Sequence, residues 1–218
     1  MITRFARLSV GFASLLLSLS LVAQTEHPQK PTQPPRAAKP VPAAPQLAAS
    51  SYLLADFNSG KILTKKAVDE RIEPASITKI MTSYLVYQAL REKQISRQDQ
   101  VLVSEKAWKM KGSKMFIEVN KHVSVADLLK GMVIQSGNDA SVALAEHVAG
   151  SESAFVSLMN AEAEHLGMQG THYMNVTGWP DPEHYSTATD ILTLTKAMIR
   201  NFPDEYALYS QKEFEYNE

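Results

Sequence analysis

The segment Pro74-Ala75-Ser76-Ile77-Thr78-Lys79-Ile80-Met81-Thr82-Ser83-Tyr84 marks a change of period in a chain of 218 residues. Before it, Ser51–Phe57 (SYLLADF) and Lys61–Ala67 (KILTKKA) flank the turn cluster Asn58-Ser59-Gly60, which predicts a β-hairpin. From it onward, Ile77, Ile80, Met81, Tyr84, Leu85 and Leu90 recur at steps of three and four, which predicts a helix from about Ser76 to Glu92. A hairpin followed by helices points to an α+β domain.

The same segment carries chemistry. At helical spacing the Ser76 hydroxyl and the Lys79 amine share a face and can meet. An unprotonated lysine amine can take a serine proton, and Ser–Lys pairs are an alternative to Ser–His–Asp. A helix N-terminus adds free N–H groups that can hold a developing oxyanion. Taken alone S-x-x-K is a weak signal, since about one chance match is expected in a chain of this size. A capping serine beside a solvated lysine fits the four residues as well. Ser136-Gly137-Asn138 follows 60 residues later, in a break between two predicted helices, where Gly137 allows a tight turn. By itself it also reads as an ordinary polar loop.

Further out, Ser124-x-x-Asp127 is a capping box opening Val125–Ile134. A helix over Asp139–Val148 is closed by Gly150, Ser151 caps Glu152–Leu166, and Thr187-x-x-Asp190 caps a helix that runs to about Asn201 and stops at Pro203. Arg97 to Asn120 is polar, with Gly112-Ser113 in a loop, and Asn175 to Tyr185 is a Gly- and Pro-rich loop. Lys212–Tyr216 (KEFEY) alternates like a strand. The strand inventory is short for an α+β domain, because a lone hairpin is marginal unless it is covered.

S-x-x-K and S-D-N occur together in serine β-lactamases and penicillin-binding proteins. The resemblance goes beyond spacing. Pro74 to Tyr84 resembles the nucleophile segment of the low-molecular-mass penicillin-binding proteins that are D-alanyl-D-alanine carboxypeptidases, and Gln135-Ser136-Gly137-Asn138-Asp139-Ala140 is similar to their second motif. It continues through Asp56–Lys61, Ala154–Asn160, Tyr185–Ala188, Asn201–Tyr206 and Lys212–Phe214, and so covers essentially Ser51 to Glu218. It implies a penicillin-binding, serine β-lactamase-like transpeptidase fold with a largely complete helical subdomain and a truncated central antiparallel sheet. Ser76 would be the acylated nucleophile, Lys79 its general base, Ser136 a proton relay to the leaving amine, and Asn138 the group orienting Lys79 and the substrate amide. The substrate would be the D-Ala-D-Ala end of a peptidoglycan pentapeptide, with β-lactam antibiotics as acylating mimics and no metal or organic cofactor.

The departures set expectations too. The family's third motif, Lys-Thr-Gly, is absent; the nearest string, Val176-Thr177-Gly178, lacks the lysine and falls in a predicted loop. The later sheet strands, a second oxyanion N–H and the C-terminal β domain with its membrane anchor have no counterpart here either. The chain is therefore expected to be a fragment or truncated member, impaired even with the four site residues intact. A D,D-endopeptidase acting on cross-links shares these motifs. A β-lactamase is disfavoured, because Gly137 stands in place of the Asp of S-D-N. A non-catalytic remnant or binding module is the alternative of a different class.

Composition bounds the rest. There is no cysteine, and a net charge of -1, with Lys+Arg 22 against Asp+Glu 23, argues against a general nucleic-acid binder. Met1–Arg7 carries two arginines and no acid, Leu8–Val22 is an uncharged Leu-rich run, and Ala23 closes it. Residues 1–23 therefore read as a secretory signal peptide, whose apolar run Leu8–Val22 of 15 residues is shorter than the roughly 20 apolar residues of a span. An uncleaved anchor is the alternative, so export to the periplasm is expected, with inner-membrane association as the variant. Residues 24–49 hold seven of the 11 prolines and read as an extended linker, with a folded domain over 50–218. The six histidines show no ligand spacing and are expected at the surface or in loops, and Trp108 and Trp179 are expected to pack.

Overall fold

The computed structural model describes residues 47–216, so the expected signal segment and nearly all of the proline-rich stretch lie outside the described residues. Strands β1 (Tyr52–Ala55) and β2 (Ile62–Lys66) form the expected antiparallel hairpin, Leu54 opposite Thr64, with a bulge after Leu54. A 3-10 turn, Ala75–Thr78, runs into α1 (Lys79–Arg91). Strand β3 (Gln100–Leu102), helix α2 (Glu105–Trp108) and strand β4 (His122–Ser124) follow, then α3 (Val125–Ile134), α4 (Asn138–Ala149), α5 (Glu152–His165), α6 (Ala188–Asn201), α7 (Pro203–Tyr206) and a 3-10 turn at Ala207–Ser210. This is the expected α+β architecture. Among the described residues its strands form two separate two-stranded sheets, β1-β2 and β3-β4. No helix among them is long and apolar enough to cross a membrane.

Helix α4 is the axis. Every residue from Asn138 to Ala145 is buried, the signature of a helix surrounded on all sides. Its Ala140, Ser141, Ala143 and Ala145 are small enough for α1, α2, α3 and α5 all to pack against it. The core they share includes Met81, Leu128, Leu129, Met132, Leu144, Phe155 and Met159. The helix starts are fixed as the sequence predicts: Ser124, Ser151 and Thr187 accept the N–H groups of Asp127, Ala154 and Asp190. Each such cap is worth about 1 kcal/mol.

Two expectations need correction. Lys212–Tyr216 is not a strand: alternation supplies a face, but a strand also needs an edge to pair with. This segment instead lies along α3, where the Phe214 carbonyl accepts from Gln135 Nε2 (3.2 Å) and its ring faces Lys130 Nζ. Arg97–Asn120 is also less irregular than its polarity predicts, since Val101 and Val123 pair across β3 and β4 and are buried.

Asp139, one residue into α4, is fully buried. Its carboxylate accepts the N–H groups of Met115 (3.0 Å), Phe116 (2.9 Å), Ile117 (3.2 Å) and Ala140 (2.9 Å). A charge taken from water must be compensated, and here backbone dipoles do so. Asp139→Ala strands several buried donors and is expected to lower the unfolding free energy by about 2–4 kcal/mol, against about 1 for the cap deletion Ser124→Ala. Urea denaturation of both variants checks this; equal losses would remove the special role of Asp139.

Candidate active site

Ser76 does not open an α-helix as the periodicity predicts. It lies in the 3-10 turn, entered through Ala75 in the left-handed region (φ 46). Residues i and i+3 eclipse in such a turn, which stacks Lys79 over Ser76. Lys79 Nζ donates to Ser76 Oγ at 3.2 Å and to the Thr177 carbonyl at 3.0 Å. Ser76 is exposed whereas Lys79 is only 6% exposed. Burial disfavours the charged amine and pulls its pKa from 10.5 down to about 8. Within the turn the Ile77 N–H donates to the Pro74 carbonyl at 3.1 Å.

Ser136 reaches the same place from the opposite side. It joins α3 to α4 in the left-handed conformation (φ 58), a strained state for a serine that costs about 1–2 kcal/mol. Ser76, Lys79 and Ser136 line one cavity of about 70 Å³, walled by Ile80, Met132, Val133 and Tyr209. Ser136 Oγ is buried, with no hydrogen-bond partner among the described residues. A larger cleft of about 750 Å³, near Arg91 and Glu205, contains none of these groups.

Asn138 stands apart from the three. It does not line the cavity; its Nδ2 donates to the Lys111 carbonyl at 2.6 Å and its backbone N–H to the Ser113 carbonyl at 2.7 Å. Its immediate work is to hold the 111–117 loop on α4, and its Oδ1 is left as the acceptor.

The expected loop from Asn175 to Tyr185 is a loop, and the sequence gives no sign that it belongs to the site. Asn175 Oδ1 accepts from the N–H groups of Thr177, Gly178 and Trp179 and so folds the turn. The turn presses Gly178 (φ 80) onto the segment that carries Ser76, where an added Cβ would lie 1.7 Å from the Ala75 carbonyl oxygen. Thr82 Oγ1 donates to the Val176 carbonyl at 2.7 Å. Val176-Thr177-Gly178 thus touches Lys79, though as an irregular loop. Tyr209 was missed as well: Ser83 Oγ donates to the Ile80 carbonyl, so the Tyr209 hydroxyl donates to Ser83 Oγ (2.5 Å). Two bland readings change. His184 is in a loop but is buried, against Thr78, and Trp108 and Trp179 are nearly half exposed instead of packed.

Known proteins resemble this chain in sequence and fold. The family described as D-alanyl-D-alanine carboxypeptidase, peptidase S11, matches residues 38–218. The D-alanyl-D-alanine carboxypeptidase DacC of Escherichia coli is 42% identical over 221 residues, covering 99% of this chain and 53% of the relative. A D-alanyl-D-alanine endopeptidase of Pseudomonas aeruginosa is 32% identical over 194 residues, covering 89% of this chain and 59% of its own. The crystal structure of penicillin binding protein 5 from Haemophilus influenzae superposes with a TM-score of 0.78 at 44% identity, over 81% of this chain and 52% of that one. The chain spans about half the length of the curated relatives it matches. With Ser76, Lys79 and Ser136 lining one cavity in a penicillin-binding fold, the chain belongs to the D-alanyl-D-alanine carboxypeptidase family of serine peptidases, S11.

Proposed function

We propose that the chain removes the terminal D-alanine of peptidoglycan stem peptides through an acyl-enzyme on Ser76. The observation that carries this reading is the buried, depressed-pKa Lys79 amine within 3.2 Å of an exposed serine hydroxyl. Ser76 Oγ attacks the carbonyl carbon of the penultimate D-alanine, and its proton passes to neutral Lys79 Nζ. A backbone N–H of the turn would hold the developing oxyanion. As the C–N bond breaks, Ser136 hands a proton to the departing amine and takes one back from Lys79. Water then attacks the ester with Lys79 as base again, releasing the shortened peptide and restoring the serine. Asn138 holds the 111–117 loop on α4, beside the cavity, and its Oδ1 would accept from the substrate amide as the substrate extends past Ser136. β-Lactams acylate the same hydroxyl and leave it slowly.

Incubation with a fluorescent penicillin, followed by mass spectrometry, is expected to show one adduct on Ser76, and a peptide ending in D-Ala-D-Ala to lose D-alanine. Ser76→Ala is expected to abolish both, and Lys79→Ala to slow acylation by about 10²–10⁴-fold, the range of a positioned base. Labelling of Ser76→Ala equal to the parent would refute the reading. The endopeptidase relative supports a second activity, cleavage of cross-linked muropeptide dimers, which the products on such dimers decide.

The pH dependence follows from Lys79. Only the neutral amine is a base, so acylation should rise about tenfold per pH unit below pH 8 and level off above it. Stability moves the same way. The unfolded chain keeps the lysine proton up to pH 10.5 and the folded chain only to about 8, so stability rises with pH between those values. Lys79→Met should flatten that rise in denaturation midpoints; an unchanged slope would show that the lysine is not what titrates.

Export belongs to the same reading, since the substrate lies outside the cytoplasm and residues 1–23 have the composition of a signal peptide. N-terminal sequencing of the chain recovered from the periplasm of a bacterial host should begin at Gln24. A chain still starting at Met1 would favour the uncleaved anchor.

A further inference from the structure

His184 is buried directly beneath the nucleophile segment, 2% exposed, and two of its contacts define its state. The N–H of Met174 donates to Nδ1 at 3.1 Å, so Nδ1 carries no proton. Nε2 therefore carries it and donates to Thr78 Oγ1 at 2.8 Å. Thr78 is the residue between Ile77 and Lys79 in S-x-x-K, and it too is buried. The imidazole thus joins the end of the 173–184 loop to the turn that aims Ser76.

The same loop delivers the other contacts to that turn. Gly178 abuts the Ala75 carbonyl, the Thr177 carbonyl receives Lys79 Nζ, and the Val176 carbonyl receives Thr82. Lys79 owes its low exposure in part to this loop, and His184 pins the loop at its far end. The groups around the imidazole are the Tyr173 ring, edge-on at 5.6 Å, the Asp181 carboxylate and the His172 ring.

We infer that His184, in its neutral Nε2–H tautomer, is a positioning residue for the Ser76–Lys79 pair, holding the 173–184 loop against the base. The inference rests on the proposed function, and deepens it. Protonation would put a second N–H on Nδ1, facing the Met174 N–H, and two donors cannot share that position. The loop then withdraws, and Lys79 becomes exposed to water. Burial lowers the pKa of His184 below 6.5, which keeps the neutral form through the working range and places the failure on its acid side. With the folded pKa below the unfolded one, stability is also lost as pH falls from 6.5 through the folded value.

The test follows acylation of the full chain by a fluorescent penicillin between about pH 5 and pH 9, with two variants. His184→Ala is expected to slow acylation about tenfold at the plateau, while His184→Gln, whose amide can accept from Met174 and donate to Thr78, recovers the rate to within about threefold. On the acid side the parent should fall more steeply than H184Q wherever His184 gains its proton in addition to Lys79. A packing role alone would not change that slope. A parent and H184Q of equal slope, or H184A at the parental rate, would overturn the inference. A second readout needs no turnover. In chain carrying ¹³C-lysine, the Lys79 side-chain pKa should rise from about 8 toward 10.5 in H184A and stay near 8 in H184Q. An unchanged Lys79 pKa in H184A would sink the inference even if the parent labels well, and the titration decides the point even if the parent releases no D-alanine.

Discussion

The burial of the Asp139 carboxylate is the constraint on which the site geometry hangs. Four backbone N–H groups compensate it, three of them from the 115–117 segment, so that segment must lie across the start of α4. Met115 is thereby driven onto α3, where an added Cβ on Gly131 would fall 2.2 Å from its sulfur. The Gly137 N–H then bonds the Gly131 carbonyl at 2.9 Å, and the connection between the two helices closes so tightly that Ser136 is pushed into the left-handed region. The orientation of the Ser136 hydroxyl is thus a by-product of where a charge had to go.

A second seam, between the nucleophile segment and the 173–184 loop, solves a different problem. A lysine that is to act as a base near neutrality must be dry, yet it must keep a polar contact or fold back into water. The loop supplies both, covering Lys79 and offering it one carbonyl, that of Thr177. Burial alone brings the amine down to about 8, without a neighbouring cation.

Much of this was legible in the sequence where the interaction is local. The capping serines and Thr187 act on N–H groups three residues away, and the hairpin, the helices and the S-x-x-K spacing are all short-range patterns. What escaped depends on distant partners. Lys212–Tyr216 has the alternation of a strand, but pairing is decided by a neighbour the segment does not find among the described residues. β3 and β4 are three residues each, too short for a period to emerge. His184 and Asn175 look like loop residues because their partners, Thr78 for one and the backbone of its own turn for the other, leave no mark on composition. Even Ser76 was misplaced by one level of structure: the period of the helix it precedes concealed the tighter winding of its own turn.

The close contact of Gly178 with the Ala75 carbonyl has a kinetic meaning. The bonds of this seam join residues 94, 98 and 106 positions apart, whereas α3 and α5 meet α4 through connections of a few residues. Contacts that close long loops are entropically late, because the ordering cost precedes the reward. The helical layer can condense first, with the turn bearing Ser76 still uncovered, and the last loop to dock is the one that dries Lys79. A nascent or partly unfolded chain therefore carries this lysine in water, with the pKa of an ordinary amine. The amine beside Ser76 is depressed only when the whole domain has closed over it.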